Sequence, residues 1–211
     1  MSISFFVVDP QHVDGTDLSL VPEASSESKP FIVIWRLVST RDDHTPQGLY
    51  LPIDKTLLVD SLATLFPQLS TSYPTGPDLE RIEACLARDE TFTLLLATET
   101  TTHIQRAAEG MSLPRITLKI TKIVGSLTLI TLKLLMNTRA HIEDLIVSND
   151  CRGQGVGRGL MQRAIQEAVE VRACRMVDLT SKPDRIQARA LYESLGFKIK
   201  DTGAFRYYAP S

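Results

Sequence analysis

The stretch DCRGQGVGRGL, Asp150 to Leu160, sets four glycines at alternate positions, Gly153, Gly155, Gly157 and Gly159. Ahead of it, AHIEDLIVS (140–148) is dense in aliphatic and β-branched residues and reads as a strand. Behind it, Val156, Leu160, Ala164 and Ala168 form one i+4 row, and Met161, Ile165 and Val169 a second. Gln162, Arg163, Gln166, Glu167 and Glu170 fall elsewhere, so the spacing predicts a helix from Val156 to Cys174 packed on a sheet. A strand that turns through bare backbone into a helix commits this part of the chain to an α/β layer. The same turn is a device for holding an anion. Amides of the first helical turn have no intrahelical acceptor, the helix dipole adds partial positive charge, and glycine lets a ligand approach without a Cβ in the way. Arg152 and Arg158 add full charges beside it. A plain connecting turn needs one or two glycines, not an alternating series.

Spacing decides which phosphate. A Walker loop needs GxxxxGK followed by Ser or Thr, and this loop holds no lysine. A dinucleotide fingerprint needs GxGxxG, but from Gly155 the third position is Leu160 and from Gly153 it is Arg158. Net charge −2 and a pI near 6.1 give no overall pull toward nucleic acid or an anionic membrane, and neither is expected as a partner. The three cysteines, Cys85, Cys151 and Cys174, are widely spaced without any CxxC or Cys/His cluster. Neither a disulfide framework nor a metal site is expected, and the setting expected is the cytoplasm, or the nucleus. No segment reaches the roughly twenty apolar residues of a membrane span.

The other elements follow from local pattern. Residues 1–30, ending in PEASSESKP, are expected to be an N-terminal extension that leads into one domain over 31–211. FIVIWRLVS from Phe31 reads as a strand, with Trp35 a core residue. DKTLLVDSLATLFPQL reads as a helix through Leu58, Leu62, Leu65 and Phe66. GPDLERIEACLAR follows as a helix on Leu79, Ile82 and Leu86 with Asp78 at its N-cap. TFTLLLATE is a strand, and ITLKITKIVGSLTLITLKLL a long strand or a pair, with Gly125 as bulge or bend. Thr98 to Pro114 between them reads as a polar surface loop. RMVDLTS reads as a strand and RIQARALYESLG as a helix capped by Gly196, with FKIKD and FRYYA closing as strands.

RGQGVG, Arg152 to Gly157, resembles the acyl-CoA loop of the GNAT N-acetyltransferases, whose form is Arg/Gln-x-x-Gly-x-Gly/Ala. IEDLIVSNDCRGQGVGRGLMQRAI is similar to that family's central strand, loop and helix, and ALYESLGFKI to its later helix with the Tyr and Leu-Gly-Phe ending. The likeness runs over about 31–208 and implies an α/β fold in which a mostly antiparallel mixed, twisted sheet splays at the acyl-CoA site, with helices on both faces. It implies acetyl-CoA as cosubstrate. Its pyrophosphate would lie on the amides of Arg152, Gly153, Gln154, Gly155, Val156, Gly157, Arg158 and Gly159, and its pantetheine arm along the strand edge at Leu145, Ile146, Val147 and Ser148. Gln187 falls near where the family often has an Asn on the cofactor.

The resemblance also implies direct acyl transfer to an amine. An alkylamine with a pKa near 10 must lose a proton before it attacks, and the departing thiolate takes one up. Tyr192 matches the family's thiolate-protonating tyrosine and competes with a packing role. Glu143 and Asp144 are the candidate bases, on opposite faces of one strand, and each competes with a solvated carboxylate. His141 is expected to be structural, and Cys151 is not expected to act as a nucleophile. Leu57 to Tyr73 and the region around Arg139 would line the acceptor pocket by topology. The expected acceptor is a small-molecule amine, in a monomer or homodimer; the alternatives are a non-catalytic acyl-CoA sensor and a protein (lysine or N-terminal) acetyltransferase.

Overall fold

A computed structural model of the chain describes residues 3–8, 31–41, 50–70, 74–88, 90–105 and 115–209. The chain divides into two compact units, Met1–Leu179 and Thr180–Ser211.

The first unit is built on a seven-stranded sheet in the order β3-β1-β2-β4-β5-β6-β7. Its strands are β1 (Ile3–Val8), β2 (Phe31–Arg41), β3 (Tyr50–Pro52), β4 (Phe92–Gln105), β5 (Arg115–Lys133), β6 (Thr138–Val147) and β7 (Met176–Leu179). All neighbours are antiparallel except β6 and β7. Within the first thirty residues, Ile3–Val8 pairs with both β2 and β3. PEASSESKP lies outside the described residues.

Alternation along the strands sorts two apolar faces. Trp35 and Leu37 of β2 stand opposite Leu96 and Leu94 of β4, and these side chains form one buried cluster with helices α1 (Lys55–Leu65) and α2 (Leu79–Leu86). Asp54 and Asp78 cap those helices through the amides of Leu57 and Arg81. The opposite face carries Leu95, Ala97, Leu127 and Leu129, all fully buried, and it receives α3 (Val156–Gln166). Helices therefore cover both faces of a mostly antiparallel mixed sheet. Leu160 and Met161 of α3 are fully buried, each contributing about 1.5–3 kcal/mol of transfer free energy.

Two sequence expectations are corrected here. Thr98–Gln105 is not a loop but the continuation of β4, paired with Arg115–Ile123 across a register shift between Glu99 and Thr100; 106–114 lie outside the described residues. Alternating threonines satisfy a strand as readily as a polar loop. Gly125 does sit at a bulge, where the register shifts between Ala97 and Thr98. The helix after the glycine loop does not run as α-helix to Cys174: it passes into a π-helical turn, Glu167–Val171, closed by Arg172 N–H to Glu167 O. Within that insertion Val169 turns out to 51% exposure, while Arg163 and Glu167, off the two apolar rows, are nonetheless buried. There Glu167 meets Arg36, Arg163 and Arg172 at 3.7, 3.6 and 3.3 Å.

In the second unit, α4 (Ile186–Ser194) ends in a left-handed Gly196 at φ +90°, as expected. Gly196 N–H bonds Glu193 O and Phe197 N–H bonds Tyr192 O, the paired bonds of a Schellman ending. FKIKD and FRYYA, expected as strands, have no regular strand structure; their alternating apolar residues lack a pairing partner among the described residues.

Candidate functional site

Three of the four loop glycines have distinct physical reasons. Gly153 and Gly155 sit at φ +76° and +83°, where a side chain is strained although nothing lies within 4 Å of a Cβ built there. Gly159 has ordinary helical backbone, and a Cβ there would stand 2.6 Å from Ile34 Cδ1, the flexible end of a β2 side chain. Two glycines thus shape the turn, and the third lies where α3 packs against the sheet. Gly155 is the N-cap of α3 and offers no side-chain hydrogen bond, and the first turn holds no acidic residue. The first intrahelical bond is Gly159 N–H to Gly155 O. The amides of Val156, Gly157 and Arg158 precede it and open at a surface where Arg152, Gly153, Gln154, Gly155 and Arg158 are all exposed. That cradle fits a phosphate-bearing group: glycine backbone without a Cβ at its mouth, uncapped amides, and two guanidinium side chains in its sequence.

The approach from β6 is pinned at several points. Ser148 N–H bonds Val124 O of β5, and Cys151 N–H bonds Ser148 O across a short turn, Asn149–Cys151. Asn149 N–H is accepted by Gln68 Oε1, 3.1 Å away, from the end of α1. Arg152 folds back so that its Nε donates to Val147 O at 3.3 Å. Gln154 Nε2 donates to Asp150 O. Gln68 went unnoticed in the sequence, since it meets Asn149 from 81 residues away and no local pattern announces it.

The β6 strand carries a bulge of its own. Glu143 stands opposite Thr128 and Ile146 opposite Ser126, so two residues of β6, Asp144 and Leu145, face one of β5. Asp144 takes φ +51°, a left-handed conformation that Asp tolerates better than most residues. Strict alternation therefore fails over Asp144 and Leu145, which together face Leu127, while Glu143 keeps its place opposite Thr128. Glu143 shares the α1 face with Ile146, which is buried in the core, while Leu145 and Val147 are half-buried. The parallel ladder with β7 ends at Ile142–Leu179, so among the described residues no strand pairs with the second edge of β6 over 143–147. The sheet is open beside the bulge.

The two carboxylates differ. Glu143 is 47% exposed and lies 3.2 Å from His141 Nε2 through its Oε1. Asp144 is half-buried; burial first, and the neighbouring Glu143 charge second, push its carboxyl above the usual range. Cys151 is buried, and its thiol is pushed up, mainly by burial and next by the Glu99 carboxylate, which argues against a nucleophile. Among the described residues no cluster of His, Cys, Asp and Glu could hold a metal ion.

Tyr192 and Gln187 belong to the second unit. Gln187 is exposed on α4. The Tyr192 ring meets Phe197 edge-to-face with centroids 6.3 Å apart, the apolar contact that accompanies a Schellman ending. Burial pushes its phenol up, partly offset by Arg185, so the hydroxyl keeps its proton at neutral pH. The structure thus gathers the glycine loop, the open β6 edge and both carboxylates in one unit, and the tyrosine in the other. Trp35 is core as expected, its Nε1 donating to Thr98 Oγ1.

Comparisons agree with this geometry. The model of the Acetyltransferase (GNAT) family matches residues 74–197. Among solved structures, an aminoglycoside acetyltransferase from an uncultured soil metagenomic sample is 21% identical with TM-score 0.59, over 86% of this chain and 97% of that one. Glucosamine-6-phosphate N-acetyltransferase from Arabidopsis thaliana is 15% identical with TM-score 0.53, over 74% and 95%. A putative acetyltransferase from Agrobacterium tumefaciens is 24% identical with TM-score 0.53, over 71% and 93%. No curated protein matches by sequence. No helix among the described residues is long and apolar enough to cross a membrane.

Proposed function

The chain belongs to the GNAT family of acetyltransferases, and from that premise we propose that it moves an acetyl group from acetyl-CoA directly to the primary amine of a small molecule. The observation that carries the reading is the uncapped N-terminus of α3, with left-handed Gly155 before it, at the end of a strand whose second edge is open. Val156, Gly157 and Arg158 present their amides to the pyrophosphate, with Arg152, Gly153, Gln154 and Gly159 shaping and charging the mouth. The open edge of β6 at Leu145, Ile146 and Val147 offers backbone groups to the pantetheine amides, in the manner of an added strand. Acetyl-CoA supplies the activated thioester. An amide of this edge steadies the carbonyl oxygen as charge develops. Glu143 takes the proton of the incoming ammonium, with His141 3.2 Å behind it, and Asp144 is the second candidate. Tyr192, whose phenol stays protonated, returns a proton to the leaving sulfur. Gln187, exposed on α4, is assigned to the cofactor. Two neighbours named for amino-sugar substrates favour a small polar amine as acceptor.

The test is release of free CoA from acetyl-CoA over a panel of aminoglycosides, hexosamines and polyamines. Tyr192→Phe and Glu143→Gln are expected to lower kcat by about 10²-fold or more while CoA binding persists. Thermal stabilisation by acetyl-CoA but not by ATP or NADH is expected alongside. Stabilisation by ATP alone would sink the reading, and tight CoA binding without turnover of any amine would turn the protein into a sensor.

A further inference from the structure

We propose that Gln68 is a positioning residue that couples the acceptor-side helix α1 to the cofactor loop. The inference rests on the glycine loop being the coenzyme A site. The α1 helix ends at Leu65 and passes into a single 3₁₀ turn, Phe66–Gln68, which carries Pro67. Pro67 fixes the backbone there and ends the α-helical ladder. Leu58, Leu62 and Leu65 hold the helix on the sheet, and Phe66 and Leu69 pack at the edge of the same core. That leaves the Gln68 carboxamide aimed at the end of β6.

The carboxamide works at both ends. Its Nε2 donates to Thr64 O at 2.9 Å, satisfying a carbonyl of the last helical turn. Its Oε1 accepts Asn149 N–H at 3.1 Å. Asn149 is the first residue of the turn that leads from β6 into the glycine loop. Within that turn, Ser148 N–H is held by the sheet through Val124 O, and Cys151 N–H by Ser148 O inside the turn itself. The Gln68 bond to Asn149 ties the turn to α1. Both partners lie in the first unit.

A rigid link between two sites makes their binding free energies interdependent, and reciprocally so. An anion that orders the loop steadies Asn149, and through Gln68 it steadies the end of α1. Conversely, an amine that settles α1 sets the loop for the cosubstrate. Gln68 touches neither ligand in this scheme; it acts through the Asn149 amide.

Amide hydrogen exchange of the full chain with and without coenzyme A itself reads this coupling. In the wild type, coenzyme A is expected to slow exchange severalfold both in 150–160 and in 62–70. Gln68→Ala is expected to keep the first protection and lose the second. Gln68→Glu, which retains an oxygen to accept Asn149 N–H, is expected to keep both, and Gln68→Met provides the bulk without an acceptor should the alanine variant fail to fold. Protection of 62–70 that persists in Gln68→Ala or Gln68→Met overturns the proposal. So does wild-type protection confined to the loop, or a Gln68→Glu variant that behaves like alanine. Absence of loop protection in the wild type would overturn the coenzyme A reading itself, and this inference with it.

Discussion

The two ends of α3 handle polar groups in opposite ways. At its N-terminus, backbone amides open outward with no side chain to cap them, the turn is glycine and the neighbouring residues are exposed. At its C-terminus, the π turn buries Glu167 to 1% exposure and surrounds it with Arg36, Arg163 and Arg172. Arg172 also donates to Glu90 O and Thr93 Oγ1, which fastens the turn to the start of β4. Polar groups face outward at one end and are enclosed among opposite charges at the other. A helix can present a receptive mouth to a ligand only if something else fixes its position, and the buried charge cluster, with the Leu160 row, is what fixes it here.

The largest test of that contrast is Glu167→Ala. Removing the carboxylate leaves three guanidinium groups around a buried gap, a loss of about 3 to 5 kcal/mol. Urea unfolding reads it directly; a loss under about 1 kcal/mol would show that the cluster does not anchor the helix. Folded Glu167→Ala protein should still gain the same thermal shift from coenzyme A as the wild type. Gly155→Ala comes next. With nothing within 4 Å of its Cβ, its cost is the left-handed backbone alone, about 1–2 kcal/mol. The added methyl group stands at the mouth of the amides, and coenzyme A affinity should fall about tenfold, or ~1.4 kcal/mol. Gly155→Asn, which tolerates positive φ, should recover stability and not affinity. Recovery of both would mean that the glycine serves the turn and not the ligand.

The same two ends divide what was legible in the sequence. The mouth was readable because its signal is local: alternate glycines, a strand before them, and an i+4 row after them. Val156, Leu160, Ala164 and Ala168 are all buried as their spacing requires. The far end was not, because a π insertion shifts the helical phase and no residue marks it. Arg163 and Glu167 fall off the apolar rows by spacing, and it takes Arg36 of β2, more than 120 residues away, together with the Arg163–Glu167 pair itself, to account for Glu167 inside. The β6 bulge escaped for a similar reason: Asp144 fits a strand by pattern, and only the pairing with Thr128 and Ser126 reveals the extra residue. Long-range partners, and not propensity, decided each of these cases. FKIKD and FRYYA show the converse, since an alternating pattern forms no strand without a neighbour to pair with.

A smaller effect is expected from Arg158→Ala, in the first turn of α3 and exposed. Loss of one guanidinium at the mouth should weaken coenzyme A about three- to tenfold and flatten the dependence of affinity on salt. The unfolding midpoint should stay put. A shift in stability without a change in affinity would place Arg158 with the structural end of the helix instead of the receptive one.

The smallest and most diagnostic change is Asp144→Asn, on the strand that feeds the mouth. Burial and the Glu143 charge hold the Asp144 carboxyl above its ordinary range in the folded chain. Its folded pKa therefore lies above the unfolded value of about 3.9. The stabilisation from proton uptake is present in full below that unfolded value and is lost as pH rises through the folded one. At pH 7 the wild type carries a charge there that the fold disfavours, and Asp144→Asn removes it. The variant should be the more stable at pH 7, by less than about 1 kcal/mol because the site is partly open to solvent. The advantage should shrink as pH falls through the raised pKa toward 3.5. Asn also accepts the φ of +51°, so any gain that stays constant with pH belongs to the backbone and not to the charge. A gap that does not narrow on acidification would remove the electrostatic account of Asp144, and turnover that survives the substitution would leave Glu143 as the group that takes the proton.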